Sequence, residues 1–365
     1  HLLSRRQRQM CIRDRNKTAL KSHGLDSNGQ LYKINSFEFY RYEDIIKKED
    51  DAGYDKTAFE KMLEIKGDSD HTKLIDMLTD LNDYSIGIED VLKEHFDEEN
   101  IVYWMAFQIL MGNVDTQNRN VYLYSPLNSD IWYFIAWDND GCLMRPEYEL
   151  RNFSDQNSWE KGISNYWGNI LFQRCLKSRS FREKLNDAIL DLREYLNKDM
   201  LTSKIESYKN VLKPYLYLMP DAEYEPLTSE QYDQIAASLP DEIEKNYQLY
   251  LESLETPMPF YIGVPTIDGD KLKFNWDVSY DLDAEDITYS VEVAGDYLFR
   301  DVIYQNTTLT VPEAEMDLPK AGQYFVRVRA TNTSGKTQDA FDYYVTDEGK
   351  YYGMRCFYIT EDSTV

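Results

Sequence analysis

Apolar positions recur with a helical period through the first two thirds of the chain and with a period of two in the last third. From His71 to Asn82, Leu74, Ile75, Leu78 and Leu81 fall on one face, which predicts a helix packed on a core. A short helix begins at Asp90-Val91-Leu92. Asp97-Glu98-Glu99-Asn100 then gives an acidic start to a helix reaching Met111. That segment is apolar almost all round (Ile101, Tyr103, Trp104, Ala106, Phe107, Ile109, Leu110), as a helix buried on all sides requires. Asn169–Leu176 reads as a short helix. A longer one follows a Ser180 cap, with Phe181, Leu185, Ala188, Leu192 and Tyr195 in register. Another spans Asp199–Tyr215, and Pro214, Pro220 and Pro226 break up what comes next. Pro240 reads as first-turn proline of a helix to Glu255, with Ile243, Tyr247, Tyr250 and Leu254 on one face. Between these, 16–45 reads as loop and short strands, including Leu31-Tyr32-Lys33-Ile34. The charged run 46–70 reads as exposed, and 145–168 as irregular and aromatic.

Thr256-Pro257-Met258-Pro259 marks the boundary where the period changes. Beyond it, Lys271–Trp276, Ile287–Val293, Thr308–Val311, Gln323–Ala330 and Ala340–Val345 read as strands of an all-β sandwich. Trp276, Leu318-Pro319, Gly322 and the run Tyr324–Ala330 together resemble a fibronectin type III module, with Tyr324 in the corner position. The fold class expected is therefore α+β: a mostly helical domain with a small hairpin sheet over 16–256, then a sandwich over 257–347. Residues 348–365 form a tail or an extra strand.

Composition narrows the function. The chain has 365 residues, a net charge of −25, thirty Tyr, fifteen Phe and six Trp. So aromatic a chain is not disordered, and so acidic a one offers no basic face to nucleic acid. Four Cys (11, 142, 175, 356) and four His (1, 23, 71, 95) form no metal-spaced pair, and no disulfide framework is indicated. No run of eighteen apolar residues predicts a transmembrane segment. The first fifteen residues, HLLSRRQRQMCIRDR, carry five Arg and one Asp and resemble a translated sequencing adapter. They are set aside as an artefact, and the natural N-terminus, with any signal peptide, is then expected upstream of the chain.

Chemistry concentrates in Gly112–Gly141, GNVDTQNRNVYLYSPLNSDIWYFIAWDNDG. An Asp/Asn-rich loop, a hairpin (Val121–Tyr124 with Ile131–Trp137) and a second acidic turn follow one another. A hairpin returns the chain to its start, so both acidic loops are expected at one end of the sheet. Asp115 and Asn120 have the five-residue spacing used in phosphoryl transfer, where an Asp takes the hydroxyl proton and an Asn holds a metal. Asp138 and Asp140, on the far side of the hairpin, offer carboxylates to a hard cation such as Mg²⁺ or Mn²⁺. Asp140 also suits a turn or cap, Asp115 and Asn120 suit a plain turn, Arg119 suits a local ion pair, and Lys33 suits the surface.

Gly112-Asn113-Val114-Asp115, Asn120-Val121-Tyr122-Leu123-Tyr124 and Trp137-Asp138-x-Asp140, with Leu31-Tyr32-Lys33 upstream, resemble the CotH kinase family over roughly residues 30–255. The resemblance implies ATP- and metal-dependent phosphorylation of protein Ser/Thr, with Asp115 as base and Asn120, Asp138 and Asp140 on the metal. It further implies a protein substrate and an extracellular, cell-surface or spore-coat location; the acidic charge suits a Ser-rich, basic substrate, and equally a plain solvated surface. Gln117 stands where the family often has His. The phosphate-covering loop and its Lys–Glu pair are expected upstream of residue 16, so a chain of this extent alone is expected to be inactive. Two other classes compete: a kinase-like adhesion or binding protein without turnover, and a metal-dependent sugar transferase using Asp138-x-Asp140. Intact Asp115, Asn120 and Asp138 speak against the former. The absence of an alternating strand–helix pattern upstream speaks against the latter.

Overall fold

The computed structural model describes residues 17–150, 159–347, 349–361 and 364, so the segment 1–15 lies outside the described residues. Contacts divide the chain into two compact units. One comprises the residues up to Met144 with Asn169–Ile243; the other comprises Arg145–Gly168 and Glu244–Val365.

The first unit opens with α1 (Lys17–Ser22), β1 (Gln30–Ile34), α2 (Lys56–Met62), β2 (Leu63–Ile65), α3 (Thr72–Asn82), α4 (Ile88–His95) and α5 (Glu98–Leu110). The hairpin β3 (Val121–Ser125) and β4 (Tyr133–Ala136) follows. The four strands form one antiparallel sheet in the order β2-β1-β3-β4. The hairpin is thus extended by Leu31–Ile34, with Ile34 opposite Val121 and Leu31 opposite Tyr124. Alternation sorts the two faces. Leu31, Tyr122 and Tyr124 pack with Tyr133, Ile135, Trp137 and Leu20 of α1 on one. Tyr32, Ile34, Leu123 and Phe134 belong to the other and are all buried.

α5 forms because Asp97 caps it, its carboxylate accepting the Asn100 N–H at 2.9 Å. Such a cap contributes about 1 kcal/mol. The helix is buried on most sides, with Trp104 stacked on Phe134 and Phe172 at 5.1 and 5.6 Å. Tyr103 departs from this: it is exposed, and its hydroxyl donates to Asp191.

Several boundaries differ from the sequence reading. The charged run 46–70 contains α2 and β2 and buries Ile46, Phe59 and Leu63, because few apolar residues placed at the right turns suffice to dock it. After α6 (Arg145–Leu150) and α7 (Ile170–Lys177), α8 (Arg179–Tyr195) is capped by Ser178, whose Oγ accepts the Phe181 N–H, and Ser180 lies within the helix. Pro214 sits inside the last turn of α9 (Lys198–Leu216) instead of ending it. Pro240 lies mid-helix in α10 (Ser229–Glu255). The true start is a capping box: Thr228 Oγ1 accepts from Gln231 N and Gln231 Oε1 from Thr228 N.

In the second unit β5 (Thr266–Asp268), β6 (Lys271–Asn275), β7 (Ile287–Ala294), β8 (Val302–Leu309), β9 (Glu313–Asp317) and β10 (Gly322–Asn332) alternate with turns. β11 (Thr337–Asp339), β12 (Tyr343–Thr346), β13 (Gly349–Tyr352) and β14 (Met354–Ile359) complete it. The sheets are β5-β6-β9, a five-stranded β11-β10-β7-β8 with β14 also on β10, and a two-stranded β12-β13. Their inner faces share one core through Leu272, Phe274, Val291, Val293, Val326 and Val328. This is the sandwich that the period of two implies, with β5, β9 and β11 added, the Thr308–Val311 strand running earlier as β8, the Ala340–Val345 strand starting only at Tyr343, and the last residues contributing β13 and β14. The whole is α+β.

His71 tests the packing of the first unit. It is 1% exposed, stacked on Phe59 at 4.2 Å, and its ring nitrogens meet Tyr32 Oη at 2.8 Å and Tyr54 Oη at 3.4 Å. Burial holds its pKa below the usual imidazole value, against the opposing pull of Glu49, Asp70 and Asp68. The unfolded chain therefore binds a proton before the folded one does. This contribution to stability is complete above about pH 6.5 and is lost as pH falls from there through the depressed folded value. Urea midpoints should drop between pH 7.5 and pH 5.5, and His71→Gln should flatten that dependence.

Candidate active site

The register of the hairpin decides where the acidic loops meet. Val121 stands opposite Ala136, so Asn120 and Trp137 flank the open end and both loops lie there. Two backbone features make the turns. Asn120 (φ 58°) and Asp138 (φ 53°, ψ 57°) adopt the left-handed conformation, which Asn and Asp tolerate better than other non-glycine residues.

The first loop is built on Asn113. Its Oδ1 accepts the Asp115 N–H, and its backbone carbonyl accepts from Thr116 Oγ1. Asp115 is half-buried; its Oδ2 accepts from Asn120 Nδ2 at 2.7 Å, and its Oδ1 pairs with the exposed Arg119. Asn120 thereby turns its amide N–H toward the carboxylate, and among the described residues its Oδ1 accepts no hydrogen bond. An exposed ion pair of the Arg119 kind contributes about 0.2–1 kcal/mol, so a competing ligand displaces it at small cost. Neighbouring elements brace the loop: Asn118 Nδ2 donates to Glu38 at 2.6 Å, Asn118 O accepts from Phe37 N, and Asn169 Nδ2 donates to Gln117 O.

The second loop is pressed against the first. A Cβ on Gly141 would stand 2.7 Å from Asn113 Oδ1 and 3.7 Å from Asp115 Cβ. Leu143 N donates to Met111 O at 2.8 Å. Asp138 and Asp140 are exposed on either side of Asn139. Burial, opposed by a hydrogen bond with Asn113, pushes the Cys142 thiol up to about 12, which leaves it protonated and unsuited to nucleophilic work. Lys33 Nζ lies 5.7 Å from the Trp137 ring centroid, and Trp137 packs edge-on against Tyr122.

Asp115 and Asn120 are therefore in direct contact, and Arg119 makes the local ion pair. Asp138 and Asp140 are brought to the same end of the sheet. Among the described residues no three His, Cys, Asp or Glu side chains form a closed metal cage. The donor chemistry here is one amide oxygen and exposed carboxylates. It fits a Mg²⁺ ion, which keeps several waters and shares its shell with substrate phosphates, and it does not fit an all-protein site. The sequence reading missed Gln108 and Asn139, and gave no role to Asn113 of the Gly112–Asp115 motif; the three amides link the two loops. The signal was present, since Gln108 is the one amide in the apolar run Ile101–Leu110.

The CotH kinase protein family model matches residues 13–250. With the helical unit, its hairpin sheet and the paired loops in view, the chain belongs to the CotH kinase protein family. No curated protein matches it. Among solved structures, that of surface layer protein SbsC, domains 1-6, aligns at 12% identity with a TM-score of 0.18. The alignment covers 87% of this chain and 36% of that one, a likeness too slight to define a shared fold.

Gly141→Ala should cost about 1–3 kcal/mol by overpacking against Asn113. Urea denaturation measures it, and an unchanged midpoint would show that the loops are not packed as described.

Proposed function

We propose that this protein is an ATP- and divalent-metal-dependent protein Ser/Thr kinase acting on secreted, cell-surface or spore-coat proteins. The observation that carries the reading is the junction of the two loops, with Asp115 bonded to Asn120 and Gly141 packed on Asp115 Cβ. In this reading Asp115 accepts the proton of the substrate hydroxyl at a carboxylate oxygen, after the substrate displaces Arg119. Asn120 orients that carboxylate through its Nδ2 and gives its Oδ1 to the metal. Asp138 and Asp140 supply the carboxylates of the metal shell. Bound Mg²⁺ or Mn²⁺ would neutralise charge on the phosphates of ATP. A Ser-rich, basic protein suits the net charge of −25 as substrate. A fibronectin type III-like identity for the sandwich is supported by its two packed antiparallel sheets, of three and five strands, and by the Tyr324 hydroxyl donating back to Lys320 O at 2.9 Å. That identity in turn favours a location outside the cell. No described helix is long and apolar enough to cross a membrane.

A second reading, a kinase-like binding or adhesion protein without turnover, is favoured by one observation: both oxygens of Asp115 are already engaged, by Arg119 and Asn120. Labelled ATP with Mg²⁺ or Mn²⁺ and a Ser-rich basic protein separates the two when applied to the full-length protein. Asp115→Ala should slow transfer by roughly 10²–10⁴-fold, the contribution of a general base, and Asp138→Ala should abolish metal-stimulated transfer. Nucleotide at about a hundred times its Kd should add roughly 2.7 kcal/mol of stability. No transfer and no nucleotide-dependent thermal shift would sink the kinase reading.

A further inference from the structure

Gln108 is fully buried near the end of α5, and Asn113 is 2% exposed. Gln108 Oε1 accepts from Asn113 Nδ2 at 3.0 Å, and Gln108 Nε2 donates to Asn139 Oδ1 at 3.1 Å. Asn113 Nδ2 also reaches Asn139 Oδ1, at 3.4 Å. The three amides close a triangle whose corners lie on the helix, the loop of Asp115 and the turn between Asp138 and Asp140. Asn113 Oδ1 receives the Asp115 N–H on the same side. Two of the three amides are out of water, where an unmet donor or acceptor is costly, so the triangle resists opening.

We infer that Asn139 is a positioning residue, the acceptor through which Gln108 and Asn113 fix the Asp138–Asp140 turn against the Asp115–Asn120 loop. Its functional consequence rests on the kinase reading: the triangle sets the spacing of base and metal carboxylates before any ligand arrives. The geometry is specific about which atom does this. Asn139 acts by Oδ1, an oxygen with two donors aimed at it, and its Nδ2 makes no hydrogen bond among the described residues. A carboxylate at 139 would serve as well, while a side chain without an acceptor would not. A space-filling role would not make that distinction.

Hydrogen exchange of the full chain followed by mass spectrometry tests the triangle without reference to catalysis. In Asn139→Ala, amides of 113–120 and 138–143 should exchange at least about tenfold faster, with α8 unchanged. Asn139→Asp should retain the slow exchange of the wild type. Gln108→Leu should behave as Asn139→Ala; if it does not fold, the two Asn139 variants decide alone. Unchanged exchange in Asn139→Ala, or equal loss in Asn139→Asp and Asn139→Ala, would overturn the proposal. Mn²⁺ titration by electron paramagnetic resonance, with ATP present to complete the ion's shell, reads the consequence. Asn139→Ala should weaken Mn²⁺ binding about tenfold, as loss of a partner outside the ligand shell does. Unchanged affinity in a loosened Asn139→Ala would remove the positioning role. A wild type that binds no Mn²⁺ would overturn the kinase reading, while exchange would still decide the triangle.

Discussion

Gln108 is an amide held out of water on a helix that is otherwise almost wholly apolar. A buried polar group left unmet costs on the order of 1–3 kcal/mol, so its bonds must be completed by whatever packs at that end of α5. What packs there is Asn113 and Asn139, one from each acidic loop. Asn100, eight residues earlier and roughly 12 Å back along the helix, meets the outer edge of β4, exchanging two hydrogen bonds with Phe134. One helix therefore covers the sheet edge with an amide near its start and fixes the site turn with an amide near its end. Covering that edge also removes an unpaired strand that would otherwise invite aggregation.

Rigid and adaptable parts are cleanly separated. The apolar contacts of Trp104, Phe134 and Phe172 and the buried amides hold the frame. The charged groups stand at the rim: Arg119 on Asp115, and Asp138 and Asp140 toward solvent. Exposed charges exchange partners cheaply, whereas the triangle beneath them does not. That division suits a site whose charged partners must come and go while its spacing stays constant. Cys142 belongs to the frame, its thiol kept protonated by burial beside Asn113.

Much of this was readable from residue order. The helical period placed α3, α5, α7 and α9 to within a few residues, and the change to a period of two announced the sandwich. The hairpin rule put both acidic loops at one end of a sheet, where the Val121–Ala136 register has them. Errors came where a local rule met a tertiary one. Ser178 and Ser180 are equally good caps in isolation, and the choice fell to Ser178, which also donates to Glu89 of α4. Pro240 reads as a start only until the capping box at Thr228 and Gln231 is noticed. Charge hid the buried side of 46–70, since Ile46, Phe59 and Leu63 are too few to impose a visible period.

By itself, then, the sequence determined most of the elements, their order, the pairing of the hairpin and the residue types available at Gly112–Gly141. Each depends on spacing along the chain, and local sterics and hydrogen bonding act over just that range. Tertiary structure decided the rest: that Leu31–Ile34 extends the hairpin, that Asp115 is bonded by both Arg119 and Asn120, and that Gly141 lies against Asn113. It also decided that Gln108, Asn113 and Asn139 form one triangle. The triangle joins residues as many as thirty-one positions apart. An amide side chain carries no mark of its partner in the sequence, and only packing out of water makes the choice of partner energetically binding.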